Sequence, residues 1–289
     1  MRFLRNLLGL EKNSDSTPVP PSPPIAPYRP RLQVGWTTNV GEIRRHNEDT
    51  ALTITASQDG DDAIPAFGLF VLADGMGGHQ AGEVASSLAA RVFAHHVVRR
   101  LYLPILINQE HDTAQPALNE LLVEAVQASN RAVAGQVPGG GTTLTCALVL
   151  GPRAYIAHVG DSRAYIVTEE GLEQITHDHS LVDRLVELGQ LTRDEAAVHP
   201  QKNVLYRAVG QSGFLEVDTP VRTIPRGGRL LLCSDGLWSI VSETDMARIV
   251  ATAPSLQAAC DSLIDAANQA GGPDNVTAIL VKPPVDQSA

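Results

Sequence analysis

Residues 142–168 read TTLTCALVLGPRAYIAHVGDSRAYIVT, three apolar runs separated by very short breaks. Runs rich in β-branched residues and bounded by Gly, Pro and Asp are typical of strands joined by tight turns. We predict strands at Thr142–Leu150, Arg153–His158 and Arg163–Thr168, with a hairpin turning at Gly160–Ser162 and a further turn at Glu169–Gly171. Strands joined by such short turns pair antiparallel, which argues against a doubly wound parallel sheet.

Strand-like and helical segments alternate along the rest of the chain. Further strands are predicted at Thr50–Thr55, Gly68–Ala73, Arg229–Cys233 and Val276–Val281. Helical periodicity marks Ala81–Leu101, Pro116–Ala134, Ser180–Leu188 and Ser255–Ala270, with Asp178 or Ser180 as the N-cap of the third helix. This mixed order, without an internal repeat, predicts one α+β domain over residues 31–285.

The composition is that of a globular protein whose 289 residues can bury a sizeable core. A net charge of −10 argues against a general nucleic-acid binder, which needs a basic face. Cys146, Cys233 and Cys260 form neither a metal-binding pair nor a disulfide framework, so we interpret them as core residues of a cytoplasmic protein. No apolar run approaches the ~20 residues that span a bilayer.

The first 30 residues differ in composition from the rest. Seven of the 19 prolines lie between Pro18 and Pro30, which predicts a stiff, extended linker over residues 13–30. Residues 1–12 begin MRFLRNLLGL, whose apolar side chains share one helical face. Two interpretations stay open: a frayed terminus, or a short amphipathic helix that docks residues 1–10 on a membrane surface or a partner. A secretory signal peptide is excluded, since no uninterrupted apolar segment is present.

Acidic residues recur beside glycine where predicted strands end. Asp74, Asp161 and Asp235 each follow an apolar run, and Asn47-Glu48-Asp49 and Pro273-Asp274-Asn275 add further acids. Each alone is an ordinary turn residue, but five such sites in one domain exceed what turns require. If they converge, they form an oxygen-rich site without His or Cys, which suits Mg²⁺ or Mn²⁺.

Arg44 lies five residues before Asp49, close enough to face the same site. A guanidinium there can grip two oxygens of a phosphoryl group, whereas an isolated arginine is usually a surface residue.

Eight short motifs occur in order along residues 32–283. They are Gly41-x-x-Arg44-x-x-Asn47-Glu48-Asp49, Ala73-Asp74-Gly75-Met76-Gly77-Gly78-His79, Gly141-Thr142-Thr143-Leu144, Val159-Gly160-Asp161-Ser162-Arg163, Thr176-His177-Asp178-His179-Ser180, His199-Pro200-Gln201-Lys202-Asn203, Ser234-Asp235-Gly236-Leu237-Trp238 and Asp274-Asn275-Val276-Thr277. Together they resemble the metal-dependent (PPM, type 2C) protein phosphatases. The motif at residues 74–79 is similar to the bacterial branch that opposes serine/threonine kinases.

The resemblance implies an α-β-β-α sandwich of two antiparallel sheets flanked by helices, with the metal site at one end. It implies that Asp74 bridges two Mn²⁺ or Mg²⁺ ions and that the Gly75 carbonyl is a further ligand. The other implied ligands are Asp235 and Asp274 for the first ion, and Asp49 with Glu48 for the second. Asp161 resembles the ligand of a third, weaker metal, and residues 177–213 resemble a variable flap beside the cleft.

The function implied is hydrolysis of phosphoserine and phosphothreonine on proteins. Two cations about 3.5–4 Å apart generate hydroxide from a bound water and stabilise the charge at phosphorus, while Arg44 orients the phosphoryl oxygens. Some family members carry a histidine at the position of Met76, proposed as the general acid, so His79 or a metal-bound water must take that role here. Expected partners are phosphoprotein substrates and serine/threonine kinases, and we expect a monomer.

Other classes fit less well. A cysteine-nucleophile phosphatase needs Cys-x₅-Arg, but Pro152 follows Cys146 and Ser239 follows Cys233 at that offset. The glycine-rich segment 135–142 lacks the lysine of a phosphate-binding loop. The alternative that stays open is a catalytically inactive, phosphatase-like module that binds phosphoproteins. Such a module is expected to have lost ligands, whereas Arg44 and the predicted acids are all present.

Overall fold

The computed structural model describes residues 31–58, 66–77, 80–106, 117–211 and 213–284. The predicted peptide 1–12, the linker 13–30 and His79 lie outside the described residues. The strands are β1 Gln33–Asn39, β2 Asp49–Ala56, β3 Phe67–Met76, β4 Gly141–Thr142, β5 Leu144–Leu150, β6 Arg153–Val159, β7 Arg163–Thr168, β8 Gly171–Gln174, β9 Val221–Thr223, β10 Arg229–Cys233 and β11 Val276–Lys282. The helices are α1 Gln80–Val97, which continues as a π-helical turn at Val98–Tyr102, α2 Leu103–Leu106, α3 Leu118–Gln136, α4 Leu181–Glu187, α5 Arg193–Ala197, α6 Asp235–Trp238, α7 Glu243–Thr252 and α8 Leu256–Gln269.

The strands form two sheets. One has the order β1-β11-β10-β7-β8, and the other has the order β2-β3-β5-β6-β9, with β4 paired to β3. Every pairing between these strands is antiparallel. The antiparallel architecture predicted from the short turns is therefore confirmed.

Alternating side chains of the central strands enter two different cores. In β10, Leu230 and Leu232 pack between the two sheets, while Leu231 and Cys233 pack under α7 and α8. On the other sheet, α1 and α3 cover the outer face with residues such as Phe93 and Leu122. The layers therefore follow the α-β-β-α order that the family resemblance implies. Because both faces are covered, the central strands read as continuous apolar runs.

The predicted hairpin between β6 and β7 is wrong. β6 pairs with β5 and β9 in one sheet, whereas β7 pairs with β10 and β8 in the other. The chain crosses between the sheets at residues 160–162, where Gly160 has a φ of 113°. A Cβ on Gly160 would lie 2.6 Å from the Cβ of Thr143, so this crossing requires glycine. Periodicity identifies a strand but not its neighbour.

The other predicted elements lie within a few residues of their observed bounds. Ser180 is the N-cap of α4, because its side chain accepts a hydrogen bond from the Asp183 N–H at 3.1 Å. All three cysteines are buried and free, as expected. Strands β1, β8 and β9 and helices α2, α5, α6 and α7 were not predicted. In the described ranges, no helix has the length and hydropathy needed to cross a bilayer.

Candidate metal centre

Strand ends bring the acids of both sheets together. Asp49 begins β2 and faces Asp74 across the β2–β3 pair. Asp235 lies two residues after the end of β10, and Asp274 lies two residues before β11, the neighbour of β10. The predicted residues Arg44, Glu48, Asp74, Gly75, Asp161, Asp235 and Asp274 all line one polar cleft of about 280 Å³.

Asp49 does not line the cleft but is buried behind it, with 8% of its surface exposed. Its Oδ2 accepts hydrogen bonds from Ser234 Oγ at 2.8 Å and Thr277 Oγ1 at 2.6 Å. Its Oδ1 is buried without a hydrogen-bond partner among the described residues. Burial raises the pKa of Asp49 to about 7, although both hydroxyl groups oppose that shift. An unpartnered buried carboxylate oxygen is costly, and a cation would satisfy it.

The neighbouring carboxyl groups repel one another. Burial raises the pKa of Asp74 well above its usual range, and the charges of Asp49 and Asp235 raise it further. Burial and the charge of Asp235 raise the pKa of Asp161 in the same way. The pKa of Asp235 rises to about 6 because of burial and the charge of Asp274. Several carboxyl groups held this close disfavour full ionisation unless cations are bound between them.

Arg44 is half-exposed and contacts an acid at the edge of the cleft. Its Nη2 donates to Asp274 Oδ2 at 2.7 Å, with 52% of the arginine side chain and 29% of the aspartate side chain exposed. Within the described ranges, no three His, Cys, Asp or Glu side chains are arranged to enclose one ion. The residues nevertheless fit a divalent cation by chemistry, since the donors are oxygens, they repel one another, and Asp49 Oδ1 lacks a partner.

Asn275 fixes the loop that carries Arg44 and Glu48. Its Nδ2 donates to the carbonyl oxygens of Val40 and His46, both at 2.9 Å. Its Oδ1 accepts the Glu48 N–H at 2.8 Å. The positioning roles of Asn275, Ser234 and Thr277 were not predicted from the sequence, although each lies in one of the eight motifs. The pattern that could have indicated these roles is a polar side chain at the end of an apolar strand.

The segment beside Asp161 is also held by residues whose roles were not predicted. The Gly160 N–H donates to His179 Nδ1 at 3.1 Å, and the His179 N–H donates to the Gly160 carbonyl at 2.7 Å. Trp238 Nε1 donates to the Asp161 carbonyl at 3.0 Å. These contacts attach the turn at Asp161 to the start of the segment 177–213 and to α6.

The chain is similar to known proteins in both sequence and structure. Residues 51–270 match the family model described as Protein phosphatase 2C. The chain is 38% identical over 252 residues to the serine/threonine phosphatase stp of Listeria monocytogenes, covering 87% of this chain and 96% of that protein. The crystal structure of the Mycobacterium tuberculosis serine/threonine phosphatase PstP/Ppp is 36% identical with a TM-score of 0.70, covering 87% of this chain and 98% of that one. The catalytic domain of PstP in complex with two manganese ions is 35% identical with a TM-score of 0.69, covering 88% and 99%.

Proposed function

The chain belongs to the protein phosphatase 2C family of metal-dependent serine/threonine protein phosphatases, and from that premise we propose which of its residues carry out the reaction. The cleft between Arg44 and the acids of β2, β3, β10 and β11 is the proposed active site. The observation that carries the proposal is the buried Oδ1 of Asp49, which has no hydrogen-bond partner among the described residues and adjoins mutually repelling carboxyl groups.

Two Mn²⁺ or Mg²⁺ ions are proposed to occupy this cleft, in line with the two manganese ions of PstP. Asp74 would lie between them, with the Gly75 carbonyl as a further ligand. Asp235 and Asp274 would hold the first ion, and Asp49 with Glu48 the second. Asp161 would hold a third, weaker ion. Bound divalent cations lower the pKa of a coordinated water and offset the charge that develops at phosphorus.

Arg44 is proposed to bind and orient the phosphoryl oxygens. Its Nη2, which contacts Asp274, can instead take part in a two-pronged contact with a phosphate when the charge of Asp274 is neutralised. Met76 lines the cleft and carries no dissociable proton. The proton for the leaving hydroxyl is therefore assigned to His79 or to water. His79 lies outside the described residues, so its role stays a prediction.

Phosphoproteins made by serine/threonine kinases are the proposed substrates, and the kinases themselves are further proposed partners. The three buried thiols support action in the reducing cytoplasm. The three hydrophobic clusters are each formed by residues of one chain, which supports a monomer with a single phosphatase domain at residues 31–285. Residues 1–12 and the linker 13–30 are proposed to tether that domain to a membrane surface or a partner.

The test is phosphate release from p-nitrophenyl phosphate and from a phosphothreonine peptide after treatment with EDTA. We expect no activity without metal, recovery with Mn²⁺ or Mg²⁺ but less with Ca²⁺, and no loss after native thiol alkylation. Full activity in EDTA, or loss on alkylating Cys146 or Cys233, would contradict the proposal. A phosphatase-like binding module would release no phosphate under any of these conditions.

A further inference from the structure

A second pocket, of about 490 Å³, opens beside the carboxylate cleft. Asp161, Asn203, Asp235 and Asp274 line both spaces, so the pocket and the cleft are continuous. The volume lies in the range of about 300–1,000 Å³ that is typical of ligand-binding pockets. Of the residues that line this pocket, only Asp161, Asp235 and Asp274, at its border with the cleft, have a role in the function proposed above.

Apolar side chains from two separate parts of the chain form walls of this flanking pocket. Val182 and Val186 of α4 contribute one wall, together with Ala196 and Ala197 of α5. Trp238 at the end of α6 and Ile240 beyond it contribute the other. A cavity of this kind suits an apolar group that enters from the cleft.

The Trp238 wall is fixed before any ligand binds. The Arg163 guanidinium lies over the Trp238 ring at 3.5 Å from its centroid. Arg163 is itself held by Asp178, through Nε to Oδ1 at 3.0 Å and Nη2 to Oδ2 at 2.8 Å. A wall held in place in this way loses little conformational entropy when a ligand binds.

The wall formed by α4 and α5 is also held in place by hydrogen bonds. The Leu181 N–H donates to the Val204 carbonyl at 2.7 Å, and the Tyr206 N–H donates to the His179 carbonyl at 3.0 Å. These bonds join the two ends of the segment that carries α4 and α5. Both walls therefore exist as a pocket without a bound substrate.

Two cationic side chains, Arg193 and Lys202, also line the pocket. Neither side chain forms a hydrogen bond or an ion pair with another described residue. Arg193 already interacts with the charge of Asp183, another lining residue, whereas the Lys202 ammonium has no such interaction with a described residue. An acidic residue of a ligand would supply the missing counter-charge.

We propose that this pocket binds an apolar side chain close in sequence to the phosphorylated residue of the substrate, and that Lys202 binds an acidic residue of the same peptide. This inference rests on the proposed function, because a phosphate in the cleft fixes where the peptide must run. Each extended residue spans about 3.3–3.6 Å, so a pocket sharing walls with the cleft is within a few residues' reach. The flap thus selects substrates by their flanking residues.

The experiment uses the full-length protein with Mn²⁺ and a set of phosphothreonine peptides. Leu or Gly is placed in turn at each of the three positions on either side of the phosphothreonine, and kcat/KM is divided by that for p-nitrophenyl phosphate. We expect Leu at one or two positions to raise this ratio about tenfold, the lower end of what a hydrophobic pocket gives. A second set compares Asp with Asn next to the preferred Leu, and we expect Asp to be preferred severalfold.

Ala197→Trp fills the pocket and should abolish the preference for Leu. Ala134→Trp is the matched control, because Ala134 is also an exposed helical alanine but lies in α3, away from the pocket. This control should keep the full preference. Lys202→Gln is a second, independent variant that should keep the preference for Leu and lose the preference for Asp.

Equal ratios for all peptides in the wild-type protein would overturn the inference, as would an unchanged preference for Leu in Ala197→Trp. Failure of the proposed function would look different, since the wild-type protein would then release no phosphate from p-nitrophenyl phosphate. If all peptides gave the same ratio while aryl phosphate was still hydrolysed with metal, only the inference about the flanking pocket would be contradicted.

Discussion

At the scale of a single residue, Asp49 shows why the folded protein favours a bound cation: its carboxyl group is buried and its pKa is raised. Its pKa of about 7, and that of about 6 for Asp235, exceed the ordinary value of 3.8. Between that ordinary value and these raised values, the folded, metal-free protein binds more protons than the unfolded chain. Its free energy of unfolding should therefore fall as the pH rises from about 4 to 7. Cations that bind only the folded state should reverse the loss.

Arg44→Ala should weaken phosphate binding without weakening cation binding. Hydrogen bonds to charged groups contribute about 1.5–3 kcal/mol, so we expect kcat/KM for p-nitrophenyl phosphate to fall about 10- to 100-fold, mainly through KM. Arg44→Lys should recover only part of the lost kcat/KM, because the lysine ammonium is a point charge that cannot make the two-pronged contact. Arg45→Ala is the control, since Arg45 is exposed and does not line the cleft. A Mn²⁺ requirement that rises in Arg44→Ala at unchanged KM would contradict the assignment.

Asp161→Ala separates a metal ligand from a simple turn residue. Because burial and the charge of Asp235 raise the pKa of Asp161, truncation should leave the melting temperature of the metal-free protein unchanged or higher. If Asp161 holds a third ion, kcat at saturating Mn²⁺ should fall, most clearly on phosphopeptides. The measurement pairs a melting curve with kcat. A lower melting temperature at unchanged kcat would make Asp161 a turn residue only.

At the scale of elements, the strands most visible in the sequence are those buried on both faces. β10 was predicted with its observed bounds because four apolar residues in a row follow Arg229. β1 was missed, because Gln33–Asn39 mixes Thr, Asn and Gly in a strand at the edge of its sheet. The crossing at Gly160 was misread, because a short turn between two strands does not say whether they share a sheet.

Asn275→Ala tests the element that carries Arg44 and Glu48. It removes three hydrogen bonds that join the segment 40–48 to the start of β11. At about 1 kcal/mol each, we expect a loss of about 2–4 kcal/mol in the free energy of unfolding. The Mn²⁺ concentration for half-maximal activity should rise, since Glu48 and Asp49 lose their support. Urea unfolding and a Mn²⁺ titration measure both effects.

Asn268→Ala is the matched control for that variant. Asn268 lies on α8, and its Nδ2 makes one long contact with Asn39 Oδ1 at 3.3 Å. It should lose less stability and keep the wild-type Mn²⁺ requirement. If both variants behave alike, Asn275 does not position the site.

At the scale of the whole molecule, sequence predicted the layers of the fold and which acids meet. Asp74 lies in β3 and Asp235 follows β10, which belong to different sheets, so the strand ends alone left their convergence conditional and the family resemblance implied the shared site. The pairing of Arg44 with Asp274, the burial of Asp49 and the flanking pocket did not follow. Each depends on side chains from segments distant in sequence, which no local pattern encodes.

Deleting residues 1–30 should leave aryl phosphate hydrolysis unchanged, because the described fold and the cleft are built from residues beyond that segment. Sedimentation with anionic vesicles should fall if the amphipathic peptide docks on a membrane surface, since its apolar face would be lost. Equal vesicle binding by the full-length and truncated proteins would leave no membrane role for residues 1–12. A loss of hydrolysis would contradict the proposed domain boundary at residue 31.

The central claim is that the repelling carboxyl groups of this cleft hold the cations that drive hydrolysis. It is tested most directly by counting Mn²⁺ ions bound per chain at pH 7.5 in wild-type and Asp74→Asn protein, with melting temperature and turnover measured on the same samples. We expect two tightly bound ions and a rise in melting temperature for the wild type. Asp74→Asn should melt at the same or a higher temperature without metal, because one repelling charge is gone, yet bind at most one ion and show no turnover. Two ions bound by Asp74→Asn with wild-type turnover would contradict the claim.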